Sequence, residues 1–164
     1  MSQSARGFIV LHAVPFSISK QVTWTISRAL NADLRPNWAP QPTLTGHVQA
    51  TFDWNADSSI GARLASELAG WQRIWFEVSQ EPTDGVDASV WFHTPRLGLT
   101  HRNTDACGNL LVGENQLRLA MATNGRNAKD LKANLDLLLA AEWTEELEPL
   151  RIGAAQNRAV WLAG

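Results

Sequence analysis

The chain has no tyrosine, one cysteine and two methionines in 164 residues. A single cysteine excludes an internal disulfide and any zinc site built on several thiolates. Cys107 sits in Asp105-Ala106-Cys107-Gly108-Asn109, a turn-forming stretch, and reads as a tolerated surface thiol rather than a nucleophile. Charge is sparse too: 18% of the residues are charged and the net charge is −2. The basic residues are scattered, so neither a nucleic-acid partner nor an anionic membrane is expected. Long apolar runs are missing. The run over residues 8–11 ends at His12 and Pro15, short of a membrane span and of a secretory leader. The chain therefore reads as soluble and cytoplasmic. Glycine-rich phosphate-binding patterns are absent, so no nucleotide or other cofactor is expected. The Gly-x-Ser-x-Gly elbow is absent as well. Ser17 and Ser19, which follow a strand and open a helix, are accounted for as caps.

Tryptophan is abundant: there are eight. In Ile74-Trp75-Phe76-Glu77-Val78-Ser79, alternation sends Ile74, Phe76 and Val78 to one face and Trp75 to the other. In Ser89-Val90-Trp91-Phe92-His93-Thr94 the same reading places Val90 and Phe92 inward, with Trp91 and His93 outward. A tryptophan left in water is a candidate contact residue, because Trp is enriched among interface anchors. A Trp75/Trp91/His93 surface is thus expected to meet a protein partner or to close a homodimer.

Residues 8–13 form an apolar run without alternation, as in a strand covered on both faces. A helix follows to about residue 30, with Val22, Ile26, Ala29 and Leu30 on one stripe. Residues 35–42 contain three prolines and cannot hold a helix. Residues 47–54 alternate as a strand, and a helix follows, running to Leu68 with Gly70 placed to end it. Strands are then predicted near 73–80, 88–94, 97–103 and 109–112, with links short enough for an antiparallel meander. From Glu114 the period is helical, and 128–142 reads as the strongest helix, with Leu131, Leu135, Leu138 and Leu139 on one side. Pro149 is expected to stop a short acidic helix, and residues 160–162 to add an edge strand or dock as a tail. The predicted order is β-α-β-α-β-β-β-β-α-α. It describes a single α+β domain, residues 1–164, with a mostly antiparallel sheet and the first two helices on one face.

Arg6-Gly7-Phe8, His12-Ala13-Val14-Pro15 and Val22-Thr23-Trp24 together resemble the N-terminal signature of the actinobacterial DUF3145 family. The likeness continues through Gly70-Trp71, Arg73, Phe76-Glu77-Val78 and Glu81-Pro82. Thr94-Pro95-Arg96-Leu97-Gly98-Leu99-Thr100-His101 is similar to that family's threonine-proline hairpin. Gly108-Asn109, Arg118, Glu146-Leu147-Glu148-Pro149-Leu150-Arg151 and Val160-Trp161-Leu162 complete it. Trp91 stands where the family has tyrosine, and Gly113-Glu114-Asn115 where it has Pro-Glu-Asp. The resemblance implies no reaction. It implies a genomic setting beside type II fatty-acid synthesis and acyl-CoA carboxylase genes.

Two classes of site follow. The first is a protein-binding surface made of Trp75, Trp91 and His93. The acidic segment around Trp143, Glu145 and Glu146 joins it as a second docking element, an aromatic anchor ringed by carboxylates. The partner expected is an acyl-CoA carboxylase or fatty-acid synthase component, and the protein a non-enzymatic accessory module. The second is a small-molecule enzyme or ligand-binding site using His12, His93 and His101. There a histidine pair with Asp53 or Glu77 would do acid–base work or hold a divalent metal. The residues favour no metal: histidines on a hairpin are ordinary polar residues. Gly125-Arg126-Asn127 could meet a phosphate at a helix start, but such loops commonly just join helices.

Overall fold

Strand β1 (Ser4–Pro15) runs through the middle of a seven-stranded sheet, between β3 (His47–Asp57) and β4 (Trp75–Gln80). The computed structural model describes the backbone of residues 3–162 and side chains as far as Gly153. The remaining strands are β2 (Ala39–Pro40), β5 (Ala88–Thr94), β6 (Gly98–Thr104) and β7 (Leu110–Leu111). Their order is β2-β3-β1-β4-β5-β6-β7, and every neighbouring pair is antiparallel. The predicted meander is residues 75–111 of this sheet. The architecture is the α+β domain that the pattern predicts.

Helices α1 (Ser19–Leu30) and α2 (Ile60–Ala69) share one face of the sheet. Val22 and Ile26 of α1 and Leu64, Ala65 and Leu68 of α2 are buried against Ile9, Leu11, Phe76 and Val78. This is the stripe the helical period placed inward. Gly7 is needed here because the chains are so close. A Cβ on it would lie 1.8 Å from the Ser79 carbonyl oxygen and 2.7 Å from the Trp54 ring.

The other face of the sheet is covered by α5 (Ala141–Leu162), which follows α3 (Glu114–Asn124) and α4 (Ala128–Leu138). Ala140 and Leu147 bury Val90 and Phe92 in a second, smaller core. Strands β4 and β5 therefore have a packed layer on each side.

The helical end departs from expectation in three places. The helix expected over 128–142 breaks at Ala140, whose φ is +51° although it is fully buried. Alanine is the best helix former, so nothing local marks this break. It turns α5 down onto the sheet, and Arg102 of β6 caps the end of α4 by donating to the carbonyls of Leu137 and Leu138. Pro149 lies inside α5 rather than at its end. The Thr43 hydroxyl donates to the Pro149 carbonyl (3.2 Å) and the Gln41 amide to that of Leu150 (3.4 Å), so side chains outside the helix hold the turn after the proline. Residues 160–162 are helical backbone rather than an edge strand.

Candidate functional site

Val78 pairs with Trp91, and directly opposed residues share a face of a sheet. Trp91 therefore lies with Ile9 and Val78 beneath α2, while Trp75 projects from the opposite face with Glu77. The expected Trp75/Trp91/His93 surface does not form. The reason is the second core: Val90 and Phe92 do point inward, but toward α5, not toward the layer that Val78 meets. Trp91 is half-buried, packed so closely on α2 that a Cβ at Gly61 would touch its ring. Trp75 is half-buried beside the smaller core, edge-on to His47.

His93 is 3% exposed. Its Nδ1–H donates to the Ile74 carbonyl (2.8 Å) and its ring stacks on Phe76 at 5.0 Å. Burial holds its pKa below the ordinary histidine value, with the bond to Ile74 acting the other way. His101 lies on the same face, two residues beyond the position opposite His93. It is hydrogen-bonded to Ser89 (3.0 Å) and tilted over Trp91 at 4.9 Å. Its pKa is also lowered, by burial and then by the charge of Arg102.

His12 belongs to the other face. Leu11 faces α1 and α2, so alternation turns the next ring, that of His12, toward α5, just ahead of the β1 bulge, and there Nε2 meets the Glu77 carboxylate. The trio His12, His93 and His101 is therefore split by the sheet and forms no common site. Among the described residues no group of three or more His, Cys, Asp or Glu side chains is placed to hold a metal ion. Asp53 stays exposed, away from both histidine groups.

Glu77 is the centre of a largely buried polar cluster. It receives His12 on one side and the forked Arg151 guanidinium of α5 on the other, through Nε (3.3 Å) and Nη2. Arg151 also reaches Glu148 at 3.2 Å. Burial alone would raise the Glu77 pKa, but His12 and Arg151 outweigh it and hold the carboxyl below its ordinary value. The His12 carbonyl accepts from Gln41 (2.7 Å). The cluster thus ties β1, β4, α5 and the segment after β2 together. Beside it opens a cleft of about 640 Å³, lined by Phe8, Phe92, Cys107, Thr144, Glu77 and Arg151 among others. None of the three histidines lines it.

The acidic segment is fastened to its own chain. Trp143 donates from Nε1 to the Gly98 carbonyl (2.9 Å) and packs on the Val90/Phe92 core. Arg96 of the β5–β6 hairpin pairs with Glu146, and with Glu142 at 3.3 Å. Trp143 and Glu146 are therefore spent within the molecule, and only Glu145 of the three stays exposed. The charge pattern concealed this because the matching cation is supplied 46 and 50 residues away.

Of the seven tryptophans with described side chains, only Trp24 is exposed. It is 62% exposed on the outer face of α1, and Arg28 lies 5.0 Å from its ring centroid. Lys20 lies four residues before Trp24 on the same helix face, and Phe16, 71% exposed, stands just ahead of α1 in a short 3-10 turn over Phe16–Ile18. The signal was in the sequence. Val22 and Ile26 face the core, so Trp24, midway between them, has to point away.

These features define an α+β domain with a two-sided antiparallel sheet and an exposed aromatic–cationic helix face. The family model for DUF3145, a protein family of unknown function, matches residues 8–164. The chain belongs to that family. No curated protein and no solved structure matches it. Among the described residues no helix is long and apolar enough to cross a membrane.

Proposed function

We propose that this chain is a non-enzymatic accessory module that binds another protein through the Lys20, Trp24 and Arg28 face of α1 and the exposed Phe16 just ahead of that helix. The observation that carries the reading is the exposed Trp24 ring with the Arg28 guanidinium lying over it. Trp and Arg dominate interface hot spots, and a rigid indole braced by a cation loses little entropy on contact. The face carries Lys20 and Arg28, the latter also paired with Glu67 of α2 at 3.9 Å, and an acidic partner surface around an apolar socket would complement it. The partner class proposed is an acyl-CoA carboxylase or fatty-acid synthase component in the cytoplasm of an actinobacterium, as the family setting implies. The test is a pull-down of tagged protein from its own lysate, read by mass spectrometry against a Phe16→Ala/Trp24→Ala control. A stoichiometric enzyme subunit that the control loses supports the reading. Identical catches from both proteins overturn it.

A second reading, a small-molecule binder, draws on the cleft beside Glu77 and Arg151. Its volume of about 640 Å³ lies within the range of ligand sites. It would act without the histidines expected for it. A metabolite-library thermal-shift screen with no hit that Phe92→Ala abolishes would remove it.

A further inference from the structure

Among the described residues, two that are not glycine have positive φ, Asn31 and Ala140. Asn31 (φ +50°) ends α1 in an ordinary way, because asparagine tolerates the left-handed region. Ala140 (φ +51°) is different, an alanine with no exposed surface. The position just past a helix end that turns left-handed is usually glycine, since a Cβ there crowds the following carbonyl. A strained residue of this kind persists only where its surroundings impose it, and such residues gather in switch regions.

Without this one residue α4 and α5 would be a single helix. Leu139 before it lies at the edge of the helical region (φ −88°, ψ 5°), and Ala141 after it is already helical. The helical period runs through Leu131, Leu135, Leu138 and Glu142 without a break. In a continuous helix the carbonyls of Leu137 and Leu138 would accept from the amides of Ala141 and Glu142, four residues on. Those are the two carbonyls that Arg102 takes, through Nη2 (2.5 Å) and Nε (2.7 Å). Its Nη1 donates to the Thr100 hydroxyl and the His101 carbonyl, both at 2.6 Å, so the fork is aimed from the sheet. The amides of Ala141 and Glu142 become first-turn groups of α5, which no helix satisfies internally. Arg102 thus stands in for the backbone donors that a straight helix would supply.

The two sides of the bend are fastened unequally. Helix α5 is held by Trp143 on the Gly98 carbonyl, by Arg151 on Glu77 and by the buried Leu147 and Leu150. The α3–α4 hairpin buries Ala120 of α3 and no residue of α4. Its two helices are antiparallel, so α3 begins beside the end of α4 and both pivot at that end. Swinging the hairpin therefore sacrifices little apolar burial. It relieves Ala140 and adds helical bonds at Ala141 and Glu142. What it gives up is Arg102.

We propose that Ala140 is a two-position hinge with Arg102 as its lock. In the bent position α4 ends at Leu138 and the guanidinium holds it against β6. In the straight position Ala140 takes ordinary helical φ, α4 and α5 fuse, and the hairpin swings off β6 as an arm. The two positions exchange one small set of hydrogen bonds for another, the condition for a bistable element.

The test is a distance measured by double electron–electron resonance between spin labels at Arg126→Cys, in the α3–α4 link, and Gln72→Cys, just after α2. Both sites are exposed, and the free thiol of Cys107 is removed as Cys107→Ser. The otherwise unaltered chain should give one dominant distance. Arg102→Met should add a second, shifted by on the order of 10 Å, because the hairpin tip lies one 11-residue helix, about 16 Å, from the pivot. Helical circular dichroism should not fall. Adding Ala140→Gly to Arg102→Met should reduce the second population about fivefold or more, since glycine turns left-handed freely and weakens a continuous helix. An Arg102→Met distribution identical to that of the unaltered chain overturns the hinge. Loss of helical signal in place of a second distance overturns it too, and makes Arg102 an ordinary cap. A second population untouched by Ala140→Gly overturns Ala140 as the pivot. Where Arg102→Met does not fold, Arg102→Gln, which keeps a donor, carries the same readings.

Discussion

The guanidinium of Arg151 forks onto the carboxylate of Glu77, joining the last helix to the fourth strand across 74 positions. Both side chains are largely withdrawn from water, at 29% and 16% exposure. Removing one charge strands the other. Glu77→Gln should therefore cost about 3 kcal/mol at neutral pH, read from urea unfolding. The folded carboxyl titrates below its ordinary value of 4.5. Its contribution is complete above that value and lost as pH falls through the lower folded value. The gap between Glu77→Gln and wild type should thus close on acidification below about pH 4.5.

A separate pH dependence belongs to His93 and His101. Both fold with pKa values below the ordinary 6.5, so the unfolded chain takes up protons first as pH falls. Stability should decline below about pH 6.5, by at most about 1.4 kcal/mol per pH unit for buried His93 and by much less for exposed, solvent-screened His101. His93→Gln/His101→Gln should flatten the stability profile between pH 6.5 and 5. An unaltered slope in the double variant would mean that these rings are not the source.

Two tryptophan truncations should separate cleanly. Trp91→Ala removes a half-buried ring from α2 and should cost about 2 kcal/mol of stability, less than a fully buried aromatic. Trp24→Ala should change stability by less than about 0.5 kcal/mol while weakening partner binding by about 2 kcal/mol. Thermal melts and titration calorimetry with the partner would show it. A large melting shift for Trp24→Ala would place that ring in the fold rather than at an interface.

Arg102 is expected to control the end of α4. Its Nε and Nη2 donate to Leu138 and Leu137, and Nη1 to Thr100 and the His101 carbonyl. Arg102→Met should cost about 1.5–3 kcal/mol and speed amide exchange over the last turn of α4. Lysine cannot reproduce the planar fork, so Arg102→Lys should rescue little of this.

Gly7→Ala should be the most damaging small change. The added methyl meets the Ser79 carbonyl at 1.8 Å, backbone that cannot move without opening the β1–β4 ladder. A loss above about 4 kcal/mol is expected, beyond ordinary overpacking, with the far-ultraviolet spectrum as the readout.

Much of the fold could be read from local pattern. Val22, Ile26, Leu64 and Leu68 declare their inward stripe by helical spacing, and the strand over 47–54 declares itself by alternation. The site was less legible. Alternation correctly paired Trp75 with Glu77, and Val90 with Phe92, as residues sharing a face. It could not say that these two faces are one and the same, under α5, because that depends on which residue of β4 stands opposite which residue of β5. His12 follows Leu11 onto that face by simple alternation, but that Glu77 of β4 stands there to meet it depends on the same pairing register. Trp24 was legible, since its place on α1 follows from the core stripe, but an exposed strand tryptophan is the easier pattern to notice.

The chain's own chemistry determined most of the elements, their antiparallel arrangement in one α+β domain and membership of DUF3145, because each rests on local periodicity, turn residues or contiguous motif. The tertiary structure alone decided that the sheet has two covered faces, that α5 begins at a left-handed Ala140, and that Arg151, Glu77 and His12 meet. Those features depend on register and on partners tens of residues apart, and strand register is set by the whole packed sheet rather than by any stretch of it.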